Sequence, residues 1–282
     1  MSLKEVLRKL NLNENSIVTP FLNEEDGSAY QVWKIETNDQ IYVLKKTTLN
    51  EIHTYQTYLK NVASVPIFLN AIQHNQEWYM LMNNVEGSSL SRCTKDNLKF
   101  ALDALIEIQD KYWDYPACNC DTVFENRSKR LEYMGDLKEV YQEYLNEFCR
   151  IPVTLTHDDL LPFNVLCDGN KAVLIDWNDA GILPYATALA RLIAYGEEDE
   201  HALFQMKEKD KQFALTYYYD QFISKKGIDY QEYMRTMNLF LFKEYSEWIY
   251  CAHLANDFEM EYYRIYEPKA RETARKLGYL WK

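Results

Sequence analysis

The sequence contains no long hydrophobic run, and it has few cysteines. No stretch approaches about 18 uninterrupted apolar residues, so we expect no transmembrane helix and no membrane partner. Residues 1–9 lack an apolar segment, so we expect no secretory signal. Six cysteines are scattered along 282 residues, and only Cys118 and Cys120 lie close together. This pattern argues against a zinc site and favours a reduced, cytoplasmic setting.

The sequence also lacks the excess of basic residues that nucleic-acid binding requires. Its formal net charge is −12, of which residues 1–84 contribute −2 and the remainder −10. We therefore expect no nucleic-acid partner, and the acidic second part would attract a cationic small molecule. An acidic surface that only keeps the protein in solution is an equally simple explanation of the charge.

Glycine is scarce where a phosphate-binding loop would be expected. Only Gly27 lies between Phe21 and Tyr30, so neither a G-x-G-x-x-G loop nor a Walker-type loop is present. If this segment covers phosphates, it must do so with Ser28 and with backbone amides.

The pattern of the hydrophobic residues changes near residue 85. Before it, the sequence predicts strands over residues 29–37, 40–45 and 78–82, and a helix over about 49–61. After it, helical spacing predicts a helix beginning near Thr94, one over about 127–149 and several over 186–276, with short strands over 153–155, 165–166 and 173–175. This order predicts an α+β fold with a β-rich N-terminal lobe, residues 1–84, and a larger α-rich lobe, residues 85–282.

Two short segments have the pattern of a phosphoryl-transfer site: LTHDDLLPFNVL at 155–166 and VLIDW at 173–177. Asp159 and Asn164 lie in a polar insertion where Pro162 discourages a helix, and Asp176 ends an apolar run. Asp159 could orient a hydroxyl nucleophile, while Asn164 and Asp176 offer oxygen ligands for Mg²⁺. Each residue alone is better explained as a turn former, but the combination favours chemistry. His157 is expected to order the loop by hydrogen bonding rather than to act as a base.

A lysine and a connecting segment could bind the nucleotide. Lys45 ends the apolar run 41–44, where it could reach phosphates, and Glu51 in the next helix could pair with it. Lys46 is a rival, because the strand register is not fixed by the sequence. Residues 82–85 could present backbone groups to a purine, although a plain connector is equally consistent; they are Met82, Asn83, Asn84 and Val85.

These segments resemble the aminoglycoside phosphotransferase and choline kinase branch of the protein-kinase-like superfamily. HDDLLPFN at 157–164 is similar to the catalytic loop, IDWNDAG at 175–181 to the metal-binding segment, and YVLK at 42–45 to the lysine-bearing strand. The resemblance implies a bilobal kinase fold that uses ATP or GTP with Mg²⁺, the purine being held by the backbone of residues 82–85. It also implies Asp159 as catalytic base, Asn164 and Asp176 as Mg²⁺ ligands, and Lys45 as a phosphate contact.

The chain departs from this family at several positions. Asp158 stands where Gly or Asn is frequent, Leu161 stands where a polar residue is frequent, and an Asp that usually follows the equivalent of Pro184 is missing near Thr187. The missing Asp commonly supports the catalytic region, so the way in which this loop is braced is open.

The C-terminal helices resemble two groups of enzymes that bind cations with acidic residues. The segment 195–199 resembles a segment of antibiotic phosphotransferases. Trp248 and the segment 257–263 together resemble segments of choline and thiamine kinases. Aromatic faces with carboxylates can hold an amine, although core packing explains most of these aromatic residues more simply. The predicted substrate contacts are Asp179, Glu197, Glu198, Glu244 and Trp248.

The sequence therefore predicts an ATP- or GTP-dependent, Mg²⁺-dependent phosphotransferase that acts on a hydroxyl of a small cationic molecule. An aminoglycoside-type acceptor is favoured over a choline- or thiamine-type acceptor. The alternative is a non-catalytic kinase-like binding or structural protein, such as a spore-coat component, which would not need all four of Lys45, Asp159, Asn164 and Asp176. A protein kinase is disfavoured, because no activation segment is recognisable after Asp176. The sequence leaves the oligomeric state open.

Overall fold

The computed structural model describes residues 3–23, 27–116 and 120–280, so Cys118 lies outside the described residues. The chain divides into two compact units, Met1–Ile108 with Pro162–Ala180, and Gln109–Leu161 with Gly181–Lys282. The first unit thus includes residues beyond position 84, and the predicted lobe boundary after residue 84 stays a prediction. Within the described residues, no helix is both long and apolar enough to cross a membrane.

The described residues form nine α-helices and ten strands. The helices are α1 (Leu3–Lys9), α2 (Leu49–Thr57), α3 (Lys95–Lys111), α4 (Cys120–Ser128), α5 (Lys138–Phe148), α6 (Ala186–Ala194), α7 (Glu208–Gln221), α8 (Tyr230–Ala255) and α9 (Glu261–Lys276). The strands are β1 (Ile17–Leu22), β2 (Ala29–Glu36), β3 (Ile41–Thr47), β4 (Phe68–His74), β5 (Glu77–Asn83), β6 (Ser88–Ser89), β7 (Val153–His157), β8 (Val165–Cys167), β9 (Ala172–Leu174) and β10 (Ala180–Pro184).

The first unit is built on a five-stranded antiparallel sheet in the order β1-β2-β3-β5-β4. Alternating apolar residues in the central strands pack against α1, and this core consists of Val6, Leu7, Leu10, Ile35, Leu44, Tyr79 and Leu81. The sequence pattern did not predict β1, because most of its residues are exposed and it contains Pro20. In the sheet, Lys45 of β3 lies opposite Val32 and Met80.

A second sheet of the first unit has the order β6-β8-β9 and contains a tight hairpin. Val165 pairs with Leu174 in antiparallel register. The turn is closed by the Asp168 carboxylate, which accepts hydrogen bonds from the backbone N–H groups of Asn170 and Lys171. The strands predicted over 165–166 and 173–175 are confirmed as this β8–β9 pair.

The second unit is mainly helical. Its core is rich in aromatic side chains from α5 and α8, among them Tyr141, Tyr144, Phe148, Phe240 and Phe242. The buried Gln109 amide donates to the Thr156 hydroxyl at 3.2 Å and to the Tyr185 carbonyl at 3.0 Å, which fixes β7.

One predicted helix of this unit is interrupted. The prediction of a continuous helix over residues 127–149 is wrong, because α4 ends at Ser128 and α5 begins only at Lys138. Two 3₁₀ turns lie between them, and Gly135 there has a φ of +56°, a left-handed conformation that ends helical geometry.

Candidate active site

The two predicted metal ligands lie at the open end of the β8–β9 hairpin. Asn164 immediately precedes β8, and Asp176 follows β9 by two residues. Because antiparallel strands return the chain to its starting point, the two positions come together, and the Ile175 N–H donates to the Asn164 carbonyl at 2.9 Å. The spacing of these two residues in the sequence is therefore the length of a tight hairpin.

Asp176 itself has an unusual backbone conformation. Its φ and ψ are both 63°, the left-handed region that costs most residues about 1 kcal/mol and that Asp tolerates better than most. The conformation is held by the next residue, Trp177, which is fully buried. Its backbone N–H donates to the Glu51 carboxylate and its indole N–H to the Leu174 carbonyl, both at 3.0 Å. The turn leaves the Asp176 carboxylate 48% exposed and accessible to a ligand.

Lys45 makes contact with both Glu51 and Asp176. Its Nζ lies 2.8 Å from the Glu51 carboxylate and 2.6 Å from Oδ1 of Asp176. Burial lowers the pKa of Lys45, but the two carboxylates raise it by more, so the net shift is upward and the side chain is a cation at neutral pH. The rival Lys46 instead pairs with the partly exposed Glu77.

Two residues that sequence reasoning missed tie α2 to the turn after Asp176. The Thr48 hydroxyl caps α2 and donates to the Asn178 side chain at 2.7 Å. The Asn50 side chain donates to the carbonyls of Asn178, at 2.7 Å, and Ala180, at 3.2 Å. An Asn or Thr is so common at helix starts that these residues gave no separate signal in the sequence.

We expect Glu51→Ala to destabilise the protein by about 2–4 kcal/mol, because Glu51 is fully buried and its carboxylate accepts from Lys45, Thr47 and Trp177. Its removal leaves buried donors without their acceptor. The matched control is Glu77→Ala, which breaks a partly exposed pair between Glu77 and Lys46 and should cost less than about 1 kcal/mol. Urea unfolding measures both values, and equal losses would contradict the assigned role of Glu51.

The segment predicted to bind the purine continues β5 into the following loop. Met82 is buried, and the N–H groups of Asn83 and Asn84 already donate to the carbonyls of Ile67 and Ile41. Within the described part of the chain, no group accepts a hydrogen bond from the Val85 N–H.

Ser28 is exposed at the end of the β1–β2 hairpin, and its carbonyl accepts a hydrogen bond from the N–H of Asn23 at 2.8 Å. Residues 24–26 of the loop predicted to cover the phosphates lie outside the described residues.

Asp159, the predicted catalytic residue, belongs to the second unit and follows β7. Its backbone N–H donates to Nδ1 of the buried His157 at 3.3 Å, and its carbonyl accepts from the Leu161 N–H at 2.9 Å. The prediction that His157 orders this loop by hydrogen bonding is confirmed. The Asp159 side chain itself is 37% exposed.

A network of charged side chains extends from the partly exposed Asp159 carboxylate to the buried Glu244. Arg191 of α6 donates to Oδ1 of Asp159 from Nε at 3.0 Å and from a terminal nitrogen at 2.7 Å. Its other terminal nitrogen donates to Glu244 and to the Tyr195 hydroxyl, both at 3.0 Å. Burial raises the pKa of Glu244, but Lys243 and Arg191 outweigh it and lower that pKa to about 2. Glu244 is therefore an anion that balances these cations.

Arg191 was missed by the sequence reasoning, although the sequence contains a signal. It is the only charged residue in α6, which reads ATALARLIA. A single charge in an otherwise apolar helix has to find a partner when that helix is buried.

The adjacent acid, Asp158, has a separate partner. Arg127 of α4 is 4% exposed and donates to the Asp158 carboxylate and to the Tyr144 hydroxyl. The two neighbouring acids of the loop are thus paired with two different arginines.

The predicted substrate contacts differ in their surroundings. Glu244 is 1% exposed and its carboxylate pairs with Arg191 and Lys243, which argues against its predicted contact with a substrate. Glu197 pairs with Lys269, whereas Glu198 and Asp179 are exposed. The Trp248 ring lies against Tyr262 with 4.4 Å between ring centroids and a tilt of 33° between the ring planes, and its buried Nε1 has no hydrogen-bond partner among the described residues.

The overall fold of the chain is similar to that of several proteins of known structure. No curated protein sequence matches the chain. The structure is similar to a thermostable mutant of aminoglycoside phosphotransferase APH(4)-Ia in ternary complex with ADP and hygromycin B, with a TM-score of 0.61, 12% sequence identity and 98% of both chains covered. It is also similar to choline kinase LicA from Streptococcus pneumoniae, with a TM-score of 0.66, 13% identity and coverage of 97% of this chain and 98% of that one.

These likenesses confirm the predicted fold class, an α+β fold of the protein-kinase-like type. A third similar structure is an aminoglycoside phosphotransferase from Alicyclobacillus acidocaldarius, with a TM-score of 0.61, 12% identity, and coverage of 92% of this chain and 91% of that one. The sequence profile of the phosphotransferase enzyme family, APH, matches residues 24–218, which is more than half of the chain. The chain therefore belongs to the phosphotransferase enzyme family.

Proposed function

We propose that this enzyme is a cytoplasmic, Mg²⁺-dependent kinase that transfers the γ-phosphoryl group of ATP to a hydroxyl of a small cationic molecule. The observation that carries the proposal is the cluster in which Lys45 Nζ lies 2.6 Å from Asp176 and 2.8 Å from the buried Glu51. A largely buried lysine fixed between two carboxylates is costly to desolvate, and contact with a phosphate would explain why the fold tolerates that cost.

The residues at the hairpin end fit Mg²⁺. Asn164 and Asp176 would hold the ion, since an amide oxygen and a carboxylate are the hard ligands that it prefers, alongside water and phosphate. The exposure of the Asp176 carboxylate leaves it accessible to such an ion. When bound, the ion would neutralise charge on the nucleotide phosphates.

ATP is the nucleotide that we propose, and cytoplasmic location is proposed because ATP is available there. A similar structure contains ADP and another contains AMP-PNP, and no observation favours GTP. The Val85 N–H is the backbone donor in the 82–85 segment that a purine could use, because the N–H groups of Asn83 and Asn84 already donate to the carbonyls of Ile67 and Ile41.

The chemistry assigned to the chain is in-line phosphoryl transfer. Asp159 orients the acceptor hydroxyl and takes its proton as the oxygen bonds to the γ-phosphorus. The bond from the γ-phosphorus to the bridging oxygen breaks, and ADP leaves with the electron pair of that bond. Lys45 stabilises the charge on the phosphate oxygens, because it is a cation held in place by Glu51.

A cationic acceptor is supported by the charge of the chain, which is −10 over residues 85–282. We propose an aminoglycoside-type acceptor first, and a choline- or thiamine-type acceptor next. The exposed carboxylates of Asp179 and Glu198 remain candidates to bind an ammonium group, and Trp248 remains a candidate for an aromatic contact. No observation supports the non-catalytic alternative.

The acceptor can be identified by a coupled assay of ADP release with Mg–ATP. The assay would compare aminoglycosides, macrolides, choline, ethanolamine, thiamine and amino sugars. We expect an acceptor that carries both a hydroxyl and an ammonium group to raise ADP release above the rate with water. If only neutral or anionic alcohols raised the rate, the proposed charge of the acceptor would be wrong.

Nucleotide and metal use can be tested by thermal unfolding. We expect Mg–ATP at about 100 times its Kd to stabilise the folded protein by about 2.7 kcal/mol, because it binds only the folded state. ATP with EDTA should stabilise less, and Mg–GTP should stabilise less than Mg–ATP. Equal shifts with and without Mg²⁺ would contradict the metal assignment, and a larger shift with Mg–GTP would contradict the choice of ATP.

A further inference from the structure

The loop that carries Asp159 is braced by Arg191, which lies outside the two sequence segments that predict the catalytic site. Thr187 lies near the position where the family's supporting Asp is missing, and its buried hydroxyl has no hydrogen-bond partner among the described residues. Thr187 therefore does not brace the loop. One helical turn further on, Arg191 makes two hydrogen bonds to a single oxygen, Oδ1 of Asp159.

The orientation of the Arg191 guanidinium is itself fixed by Glu244 and Tyr195. Glu244 of α8 is 1% exposed and accepts from Arg191 at 3.0 Å, and the Tyr195 hydroxyl accepts from the same nitrogen. The guanidinium also lies over the Tyr195 ring, 5.0 Å from its centroid. A planar guanidinium whose own orientation is fixed by Glu244 and Tyr195 can fix the position of the carboxylate oxygen to which it makes two hydrogen bonds, which a lysine ammonium cannot do as well.

Neither acidic partner of Arg191 requires it for compensation of charge. Glu244 already has Lys243 at 3.0 Å, and the Asp159 side chain is 37% exposed and can be hydrated. If the fork only neutralised charge, it would duplicate what Lys243 and water provide. What it adds is geometry, because a base must point at the acceptor hydroxyl within a narrow range of angles.

We propose that Arg191, held in place by Glu244, is the positioning residue that sets the orientation of the Asp159 carboxylate for phosphoryl transfer. This inference rests on the proposed function. Glu244, which the sequence predicted as a substrate contact, instead holds the residue that positions the catalytic base Asp159. Arg191 thus braces the loop in a chain that lacks the usual Asp near Thr187.

The test is the release of ADP from Mg–ATP with water as the acceptor, measured for the wild type, Arg191→Gln, Arg191→Lys and Arg191→Gly. We expect Arg191→Gln to lower kcat by about 10²-fold, because the carboxylate loses its fixed orientation. The KM for Mg–ATP should stay within about 2-fold, since Arg191 is not assigned to the nucleotide. Arg191→Lys should recover part of kcat, and guanidinium ions added to Arg191→Gly should recover more.

The matched control is Arg130→Gln, which breaks another half-buried arginine–carboxylate pair in the same unit, that of Arg130 with Glu247. We expect it to lower the unfolding temperature as Arg191→Gln does, but to keep kcat. Equal losses of kcat in the two variants, or a kcat for Arg191→Gln within 2-fold of the wild type, would overturn the inference. If Arg191→Gln does not fold, Glu244→Gln replaces it, with an expected fall in kcat of about 10-fold at unchanged KM.

The outcomes separate this inference from the function on which it rests. A wild-type protein that releases no ADP with water or with any acceptor of the screen would overturn both. A wild type that is active, an Asp159→Asn variant that is inactive and an Arg191→Gln variant that is fully active would overturn the role of Arg191 alone.

Discussion

Replacement of Asp159 by asparagine is expected to lower kcat by about 10²–10⁴-fold while Mg–ATP still binds. The amide cannot take the proton of the acceptor hydroxyl, and general-base catalysis contributes rate factors of this size. Nucleotide affinity should be preserved, because the proposed nucleotide and metal contacts of Lys45, Asn164 and Asp176 lie in the other compact unit. Steady-state turnover and calorimetric titration with Mg–ATP measure the two effects separately.

The matched control for Asp159→Asn is the same substitution at the adjacent residue, Asp158→Asn. Asp158 pairs with the buried Arg127, so this variant should lose stability while kcat stays within about 3-fold of the wild type. An Asp159→Asn variant with kcat near the wild-type value would remove Asp159 from the mechanism. A greater loss of kcat in Asp158→Asn than in Asp159→Asn would move the base role to Asp158.

The sequence predicted best where a local pattern has one simple geometric solution. The interval between Asn164 and Asp176 is such a case, because two short strands and a turn closed by Asp168 are what brings the two residues together. The predicted β2, β3 and β5 agree with the structure, since their alternating apolar residues form the core beneath the sheet. The exposed β1 has no such alternation and was missed.

The sequence predicted less where the outcome depends on distant contacts. Whether Lys45 or Lys46 is the lysine of the site depends on the register of β3. That register follows only from the pairing of β3 with β2 and β5. Glu244 has the sequence context of an ordinary acidic residue on an amphipathic helix. Its burial against Arg191 arises from the packing of α6 on α8, to which no local signal points.

The two compact units share one physical device. In the first, the buried Glu51 fixes Lys45, and in the second, the buried Glu244 fixes Arg191. In each case a buried carboxylate orients a cation, and that cation contacts a more exposed aspartate, Asp176 or Asp159. Each buried carboxylate is neutralised by a cation of its own unit. The Asp176 and Asp159 carboxylates, which contact those cations, therefore have little freedom to move before any ligand binds.

Replacement of Asp176 by asparagine is expected to weaken the binding of Mg–ATP by about 10²-fold, or about 2.8 kcal/mol. Asparagine tolerates the left-handed backbone at this position, so the turn that precedes Trp177 should persist. The variant removes the charge that would hold the metal ion, and Lys45 keeps Glu51 as its partner. The affinity for ATP in EDTA should not fall, because no metal is present and one repulsive carboxylate has gone.

Asp168→Asn is the matched control for Asp176→Asn, because Asp168 lies at the opposite end of the same hairpin. Its side chain bonds only to the N–H groups of the turn, among the contacts of the described residues, and asparagine can accept the same bonds. Mg–ATP affinity in this variant should equal that of the wild type. If Asp176→Asn bound Mg–ATP as tightly as Asp168→Asn, Asp176 would not be a metal ligand. If Asp176→Asn weakened the binding of ATP by the same factor in EDTA, the contribution of Asp176 would be the placement of Lys45 rather than the binding of Mg²⁺.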